Sequence, residues 1–340
     1  MRPERFHEIT GRYPSLHIAV AGDFCLDRYL EIDAAKEEIS LETGLPVHNV
    51  VRVRAQPGGA GTILNNLAAL GVGEAHPVGF CGEDAEGYEL RRALAALPGV
   101  RLDSFFQTAQ RRTFTYCKPL VIGAGLSPRE LNRLDSKNWT PTPKSLQRAI
   151  AGQVSELGRS VDAMVLLEQT DEPETGAVTP LVRNAACRAL RERPRLLVLA
   201  DSRRGLGEYP PLAFKMNGAE LAALTGRQAP LDLEGTRAEA AALARRNGQP
   251  VFVTLAERGI VGATPDGSVA HVEAFPVRGP IDVVGAGDAV TANLAAALAA
   301  GATACEAMEL AMAAASVVVH RLGDTGAASV AEVGSLVVAR

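Results

Sequence analysis

The 340-residue sequence has few cysteines, few aromatic residues and little net charge. Its five cysteines are scattered and show no C-x-x-C spacing, which argues against a disulfide framework or zinc site and is typical of a reducing cytoplasm. A net charge of −4 disfavours nonspecific binding to nucleic acid or anionic membranes. The N-terminus lacks a secretory signal, and the Ala-rich stretch 292–319 is interrupted by Gly301, Glu306 and Glu309. We therefore expect a cytoplasmic protein without a nucleic-acid or membrane partner.

Several common enzyme motifs are also missing. The sequence contains no G-x-x-x-x-G-K-[ST], which excludes a P-loop enzyme. The first predicted strand is not followed by G-x-G-x-x-G, which disfavours a dinucleotide-dependent dehydrogenase. The lack of a G-x-S-x-G elbow removes the usual α/β-hydrolase interpretation.

Apolar runs of strand length alternate with helical patterns along most of the chain. Strands are predicted near 16–22, 76–80, 162–168, 195–200, 212–216 and 250–254. Helices are predicted near 60–70, 85–97, 143–158, 177–191, 218–225, 235–247, 287–300 and 303–321. This alternation predicts an α/β fold with a doubly wound, mostly parallel sheet in a single domain over 1–340. Pro265-Asp266-Gly267 predicts a hairpin turn late in that domain.

Two segments that depart from this alternation predict a second, smaller sheet. In 47–54 and in 112–121, apolar and polar residues alternate, which is typical of strands with one wet face. They are too distant in sequence to form a simple hairpin. We interpret them as insertions, at about 28–56 and 104–122, that meet as a lid. Because a small sheet cannot bury its apolar face alone, we also expect a homodimer through the lid.

The most informative stretch is the turn Gly285-Ala286-Gly287-Asp288, which is followed at once by an Ala-rich helical run. Backbone N–H groups at a helix N-terminus suit a multiply charged anion such as a transferring phosphoryl group. Asp288, on the first helical turn, can accept the proton of an attacking hydroxyl. Valine at Gly287 is expected to strain the turn, which can require a positive φ. The alternative is an ordinary Gly-rich turn in which Asp288 only caps the helix.

Further polar residues follow predicted strands, at the edge where open α/β sheets bind ligands. Asp27, in a polar loop predicted after the first strand, can accept hydrogen bonds from two sugar hydroxyls or from local backbone N–H groups. Gly58 and Gly59 permit close approach of a ligand to the backbone. Asn217 and Glu220 have the spacing of a helix capping box, and this structural role is as well supported as a binding role.

In their order and spacing these motifs resemble the ribokinase-like (phosphofructokinase-B) family of sugar kinases over roughly the whole chain. The resemblance rests on 18–29, 57–71, 201–205, 217–220, 253–259 and the Gly-Ala-Gly-Asp turn. Segments 22–29, 57–60, 132–135 and 317–323 are most similar to the kinase half of the bifunctional heptose-7-phosphate kinase/ADP-heptose synthases. A chain of 340 residues is expected to hold the kinase half alone. Glu168-Gln169-Thr170 differs from the Ser-Asp-Tyr of heptose kinases, which weakens the heptose assignment.

The resemblance implies an ATP-dependent kinase that phosphorylates a hydroxyl of a sugar or sugar phosphate, with heptose 7-phosphate as one candidate. It implies that Asp288 is the base and that the N–H groups of Gly285, Ala286 and Gly287 form the anion hole. On the sugar side it implies Asp27, Gly58, Gly59, Asn65 (preferred to Asn66), Lys118 and Arg133. On the nucleotide side it implies Asn217, Glu220, Thr254, Gly259, Lys215 and His320, with Glu220 helping to place Mg²⁺ through water. Ala256 stands where the family's nucleotide loop usually has glycine.

Two questions remain open at this stage. A protein that keeps the fold but only binds a sugar or nucleotide is the alternative to a kinase, and release of ADP with a panel of sugars would distinguish them. A substrate that already carries a phosphate is suggested by basic residues in the segments expected around the sugar. These residues are Arg52, Arg54, Arg111, Arg112, Lys118 and Arg133. The alternative is that they only keep an outer face solvated.

Overall fold

The computed structural model describes residues 1–123, 126–323 and 326–338. The helices are α1 (Pro3–Thr10), α2 (Ala60–Ala69), α3 (Ala85–Ala95), α4 (Lys144–Leu157), α5 (Pro180–Glu192), α6 (Gly218–Thr225), α7 (Leu233–Asn247), α8 (Ala286–Ala299), α9 (Ala304–Val319) and α10 (Val330–Val337). The first eight strands are β1 (His17–Gly22), β2 (Phe24–Asp33), β3 (Glu38–Ile39), β4 (Pro46–Val47), β5 (Val50–Gly59), β6 (Glu74–Gly82), β7 (Phe105–Thr108) and β8 (Phe114–Gly123). The others are β9 (Leu126–Glu130), β10 (Leu134–Ser136), β11 (Ala163–Glu168), β12 (Leu197–Ser202), β13 (Ala213–Asn217), β14 (Val251–Thr254), β15 (Ile260–Ala263) and β16 (Val269–Val272).

Nine strands form the large sheet, in the order β16-β15-β14-β13-β12-β11-β1-β6-β7. The pairs from β14 to β7 are parallel, and β15 and β16 add an antiparallel hairpin at one edge. The hairpin turns at the predicted position, where the Thr264 N–H donates to the Ser268 carbonyl over 2.9 Å. The predicted α/β fold with a mostly parallel sheet is therefore confirmed.

Helices cover both faces of this sheet, and the alternation of side chains along β1 shows why. Ile18 and Val20 point into a core that includes residues of α2, α8 and α9. Ala19 and Ala21 point into a second core, which includes residues of α4, α5 and α7. A strand buried on both faces needs apolar residues at every position, which is the continuous run in the sequence. Within the described residues, no helix is long and apolar enough to cross a bilayer.

A smaller sheet has the strand order β10-β8-β2-β5, with β9 paired to β8. Both segments predicted to form a lid contribute to it, through β5 and β8. Its bounds differ from the predicted ones, because β2 begins at Phe24, directly after β1, where a polar loop was predicted. Strand β7, inside the predicted second insertion, belongs instead to the large sheet.

Strand β2 forms because its two faces have different partners. Leu26 is fully buried, and Arg28 on the same face pairs with Glu89 of α3 at 2.9 Å. Asp27, Tyr29 and Glu31 occupy the other face. Polar residues at 27, 29 and 31 suggested a loop, but they form the polar face of a strand.

Candidate active site

The N-terminus of α8 lies at the edge of the large sheet where its parallel strands end. Gly285 caps the helix with φ 81°, a left-handed conformation that glycine adopts without strain. The positive φ therefore falls at Gly285 and not at Gly287, where the strain of a valine was predicted. Asp282 fixes the turn by accepting hydrogen bonds from the N–H groups of Val284 (3.0 Å) and Gly323 (3.3 Å).

The first turn of α8 offers backbone donors to an anion. The Ala286 N–H makes a long 3.3 Å bond to the Val283 carbonyl, and the helical ladder begins with the Ala289 N–H donating to Gly285. The N–H groups of Gly287 and Asp288 precede that ladder and have no helical carbonyl to bond. They are thus the best-placed donors of the predicted anion hole, together with the dipole of the helix.

Asp288 is half-buried on this first turn, among several charged groups. Burial raises the pKa of its carboxyl to about 7; Lys215 and Arg203 oppose the rise, whereas Asp201 and Asp27 add to it. A carboxylate with a pKa near neutrality can hold or release a proton at working pH. The geometry therefore suits a general base, the role that the sequence predicted.

Lys215, predicted on the nucleotide side, is buried beside the turn. Its ammonium donates to Asp201 Oδ2 over 2.8 Å, and the Thr291 hydroxyl of α8 donates to the same oxygen over 3.2 Å. Burial lowers the pKa of Lys215, but the carboxylates of Asp201, Asp288 and Glu220 together raise it above its usual value, so the side chain stays charged. A Cβ at Gly287 would lie 3.3 Å from the Lys215 ammonium. A positive charge is thus held against the helix N-terminus.

Asp27 lies across the cleft, on β2 of the small sheet. Lys118 of β8 approaches it at 3.4 Å. Burial raises the pKa of Asp27, and the Lys118 charge opposes that rise. On the neighbouring strand β5, a Cβ at Gly58 would lie 2.6 Å from Asp27 Oδ2. Glycine at this position therefore leaves the carboxylate open to the cleft.

The same face of the small sheet carries an array of aromatic and basic side chains. Tyr29 has Arg54 over one part of its ring at 4.7 Å and the Lys118 ammonium at 4.9 Å. Arg54 also pairs with Glu31 at 2.7 Å. Arg133, predicted on the sugar side, lies 5.0 Å from the ring of Tyr116 and pairs with Asp135.

Asp23, which the sequence analysis did not single out, holds backbone segments together on the predicted sugar side of the cleft. Its buried carboxylate accepts hydrogen bonds from the N–H groups of Gln169 (2.8 Å), Thr170 (3.2 Å) and Ala177 (2.6 Å). Gly59 has φ 58°, and a Cβ there would lie 2.5 Å from the Asp23 carbonyl. The end of β1, the Gly58-Gly59 turn and the loop after β11 are therefore held as one unit.

In the Glu168-Gln169-Thr170 segment, which departs from the heptose-kinase pattern, the first two residues have different environments. Glu168 is buried and accepts hydrogen bonds from Ser202 (2.6 Å) and Tyr209 (3.0 Å), so it supports the neighbouring strand. Gln169 lies beside the predicted sugar site, because its Cγ is 3.5 Å from the position that a Cβ at Gly59 would take. Gln169, and not Glu168, is thus the altered residue beside the predicted sugar site.

The two asparagines of α2 have different environments. Asn66 is fully buried and donates to the Thr62 carbonyl of its own helix over 2.9 Å. Asn65 is half-buried. The preference for Asn65 as the ligand-facing residue stays a prediction.

A cavity of about 990 Å³ opens beside the N-terminus of α8. Its lining is mostly apolar, from the ends of β13 and β14, the 274–277 segment, α8 and α9. Asn217, Thr254, Gly259 and Gly287 of the predicted site all contribute to it. An apolar cavity of this size with donors at one end fits a nucleotide, with the base in the cavity and the phosphates at α8.

The loop after β14 keeps a glycine-type shape although it contains an alanine. Ala256 has φ 52°, and Gly259 has φ 90° with the Val272 carbonyl where a Cβ would stand. The left-handed conformation costs an alanine about 1 kcal/mol. The backbone at Ala256 therefore has the left-handed conformation typical of glycine, although the residue is alanine.

Asn217 and Glu220 form a complete capping box at the start of α6. Each side chain accepts from the other's backbone N–H, at 2.9 and 2.7 Å. Burial raises the pKa of Glu220, and the Asn217 N–H opposes that rise. The capping role is thus real. Glu220 also lies close enough to Asp201 and Lys215 to interact electrostatically with both, so a Mg²⁺ held through water fits this acidic corner.

His320 lies at the end of α9, next to Val319 of the cavity lining. Its Nε2 accepts the Arg278 N–H over 2.9 Å, and its Nδ1 lies 2.6 Å from the Ser316 carbonyl. Both ring nitrogens are therefore engaged, and the ring fastens the 274–281 segment to α9. A contact of His320 with the nucleotide stays a prediction.

A helix N-terminus with free backbone N–H groups, beside a carboxylate able to take a proton, is the arrangement expected of a phosphotransferase that acts on an alcohol group. The sequence model of the pfkB family carbohydrate kinases matches residues 18–330. The chain belongs to this family of carbohydrate kinases. The alternative of a protein that only binds its ligands is set aside.

Individual relatives agree with the family. Bifunctional protein HldE of Gluconacetobacter diazotrophicus is 34% identical over 94% of this chain and 63% of its own length. The protein of that name from Azorhizobium caulinodans is 33% identical over 90% of this chain and 61% of its own length. The chain therefore spans less than two thirds of these relatives.

Solved structures confirm the ribokinase-like fold. Phosphofructokinase-2 from Escherichia coli in complex with substrates and products aligns with a TM-score of 0.72 and 20% identity, over 96% of this chain and 100% of that one. Arabidopsis thaliana ribokinase complexed with ribose and ATP aligns with a TM-score of 0.67 and 20% identity, over 95% and 98%.

Proposed function

We propose that this kinase phosphorylates a hydroxyl of a sugar phosphate, with Asp288 as general base and Mg²⁺ bound with ATP. The observation that carries the proposal is the position of Asp288. Its carboxyl, with a pKa of about 7, lies on the first turn of α8 and is close enough to the Asp27 carboxylate to be affected by its charge. A hydroxyl held by Asp27 would thus face both a proton acceptor and an anion site.

Each residue has a separate task in this proposal. ATP, when bound with Mg²⁺, supplies the phosphoryl group and part of the charge neutralisation. Asp27 and Lys118 orient the sugar hydroxyls, and Asp288 accepts the proton of the hydroxyl that attacks. The N–H groups at the start of α8 and the Lys215 ammonium stabilise negative charge on the transferred group. Such fixed donors cost no reorganisation during the reaction.

A substrate that already carries a phosphate is supported by the charges on the small sheet. Arg54 and Lys118 flank Tyr29 on the face that also carries Asp27, and Arg133 lies beside Tyr116. Among the residues that the structure describes, Arg54 pairs with one carboxylate, Glu31, and Arg133 with one, Asp135, so their remaining donors can reach a phosphate. HldE relatives make heptose 7-phosphate the first candidate.

Matched pairs of substrates test this proposal. We expect kcat/KM to favour heptose 7-phosphate over heptose, or fructose 6-phosphate over fructose, by at least about tenfold, roughly 1.4 kcal/mol. Arg54→Gln should reduce that ratio, whereas Arg112→Gln, a control at an exposed position, should not. A preference for the free sugars would reject the phosphate site and leave a ribokinase- or fructokinase-like activity.

We also propose a homodimer through the small sheet. On the face opposite Asp27, Val53 is 46% and Leu134 is 65% exposed, so this apolar surface lacks a cover in the single chain. Val53→Glu should convert a dimer into a monomer in light scattering at micromolar concentration. Leu181→Glu, at an exposed apolar position on α5, is the control. A monomeric wild-type mass would contradict the proposal.

A further inference from the structure

Two histidines and a glutamate meet at the end of the large sheet opposite to the active site. His17 is the first residue of β1, and Glu74 and His76 lie on the parallel strand β6. Glu74 is directly opposite His17 in the register. His76 follows Glu74 by two positions, so its side chain points to the same face of the sheet. The active-site residues lie at the other end, where these strands finish.

The three side chains have nearly the separation that a metal ion requires. Glu74 Oε2 lies 3.7 Å from His17 Nδ1 and 3.4 Å from His76 Nε2. All three ligand atoms lie within 4.8 Å of one another, and the described residues contain no second group of three that meets this criterion. Tetrahedral ligands about 2.0–2.1 Å from a zinc ion are about 3.3 Å apart. A small rotation of the half-exposed His17 ring would close the remaining gap.

Neighbouring groups hold these ligands in place. Arg101 donates to Glu74 Oε1 through Nε (3.3 Å) and a terminal nitrogen (3.2 Å), which leaves Oε2 turned toward the histidines. Asp162 accepts the His17 N–H over 2.9 Å and donates its own N–H to the His17 carbonyl over 2.8 Å. Such outer contacts orient metal ligands.

We propose that His17, Glu74 and His76 bind one divalent transition-metal ion of the zinc type, with water completing its coordination. Two imidazoles and a carboxylate form a set that zinc and its neighbours prefer, whereas Mg²⁺ prefers oxygen ligands and waters. The ion would link β1 to β6 at the sheet edge farthest from the phosphates. The competing account is that Glu74 only forms ion pairs with Arg101 and the histidines.

Titration of the EDTA-treated, nucleotide-free protein with Co²⁺ separates the two accounts, since tetrahedral cobalt absorbs visible light. We expect one equivalent with a tetrahedral spectrum, displaced by Zn²⁺. His76→Ala should weaken binding more than about 100-fold, beyond the loss typical of an outer-contact mutation. His7→Ala, at an exposed histidine on α1, should bind like the wild type.

A second readout covers the possibility that His76→Ala folds poorly. Zn²⁺ should raise the melting temperature of the wild type and of His7→Ala, but not of His17→Ala, whose half-exposed ring is removed without opening the core. Equal cobalt affinity in the wild type and both cluster variants would overturn the proposal. So would equal stabilisation by Zn²⁺.

Discussion

The proposed base makes a specific prediction for the pH dependence of the reaction. Because burial raises the pKa of Asp288 to about 7, kcat/KM should fall about tenfold per pH unit below pH 7. Lys215 is the group that most opposes this rise. An adjacent opposite charge commonly shifts a carboxyl pKa by about 1–3 units. Lys215→Met should therefore move the acid limb of the profile upward, by at least about one unit.

The assay is kcat/KM between pH 5.5 and 9.5 at constant ionic strength, with saturating nucleotide. The midpoint of the acid limb, and not the rate, is the quantity compared, because Lys215→Met also removes a phosphate contact. Lys215→Arg keeps the charge and should leave the midpoint near 7. Adding Asp201→Asn to Lys215→Met removes a charge that raises the pKa of Asp288, so the midpoint should return toward that of the wild type. The same midpoint in the wild type and Lys215→Met would refute the assignment of this limb to Asp288.

Three further results are expected. Asp288→Asn should lower kcat at least about 100-fold. The pKa of Asp288 is higher in the folded state than in the unfolded one, so ionisation of its carboxyl costs stability as the pH rises toward and past 7. The gain in melting temperature of Asp288→Asn should therefore be larger at pH 8 than at pH 5. Near-normal kcat would refute the assignment of Asp288 as the base. Gly59→Ala should lower the free energy of unfolding by about 2 kcal/mol or more in urea denaturation, since φ is 58° and the new Cβ meets the Asp23 carbonyl. Gly152→Ala, in open space on α4, should instead be neutral or stabilising. Asp27→Ala should raise KM for the sugar with little change in ATP affinity; equal losses for both would indicate a structural role.

The large sheet and its helices could be predicted because local patterns determine them. The continuous apolar run of β1 and the periodic helix α9 each carry their own signal. The site motif at Gly285 and Asp288 was equally visible, because a tight turn and the helix after it are adjacent in sequence. Helices α1 and α10 were missed. Each packs on the other, as the contact of Phe6 with Gly334 shows, and neither pattern reveals its partner.

Residues whose role depends on distant partners could not be predicted. Asp23 accepts hydrogen bonds from residues about 150 positions away, and nothing in the sequence around it indicates three backbone donors. Asp201 is joined to Lys215 and Thr291 from two other elements. Strand β2 was taken for a loop because Asp27 and Glu31 find their counter-charges on β8 and β5, which only the folded sheet brings together.

The pairing of charges in the cleft explains why we propose Asp288, and not another carboxylate, as the proton acceptor. Asp27 has the Lys118 ammonium at 3.4 Å, and Asp201 has the Lys215 ammonium at 2.8 Å. Among the residues that the structure describes, Asp288 forms no ion pair within 4.0 Å, although it lies close enough to both other carboxylates to be affected by them. A carboxylate with its own counter-ion is a weak base, because the partner stabilises its charge. The two lysines thus leave Asp288, on the helix proposed to bind phosphate, as the most basic of the three carboxylates. The free energy that its unpaired charge costs is the stability that Asp288→Asn should restore.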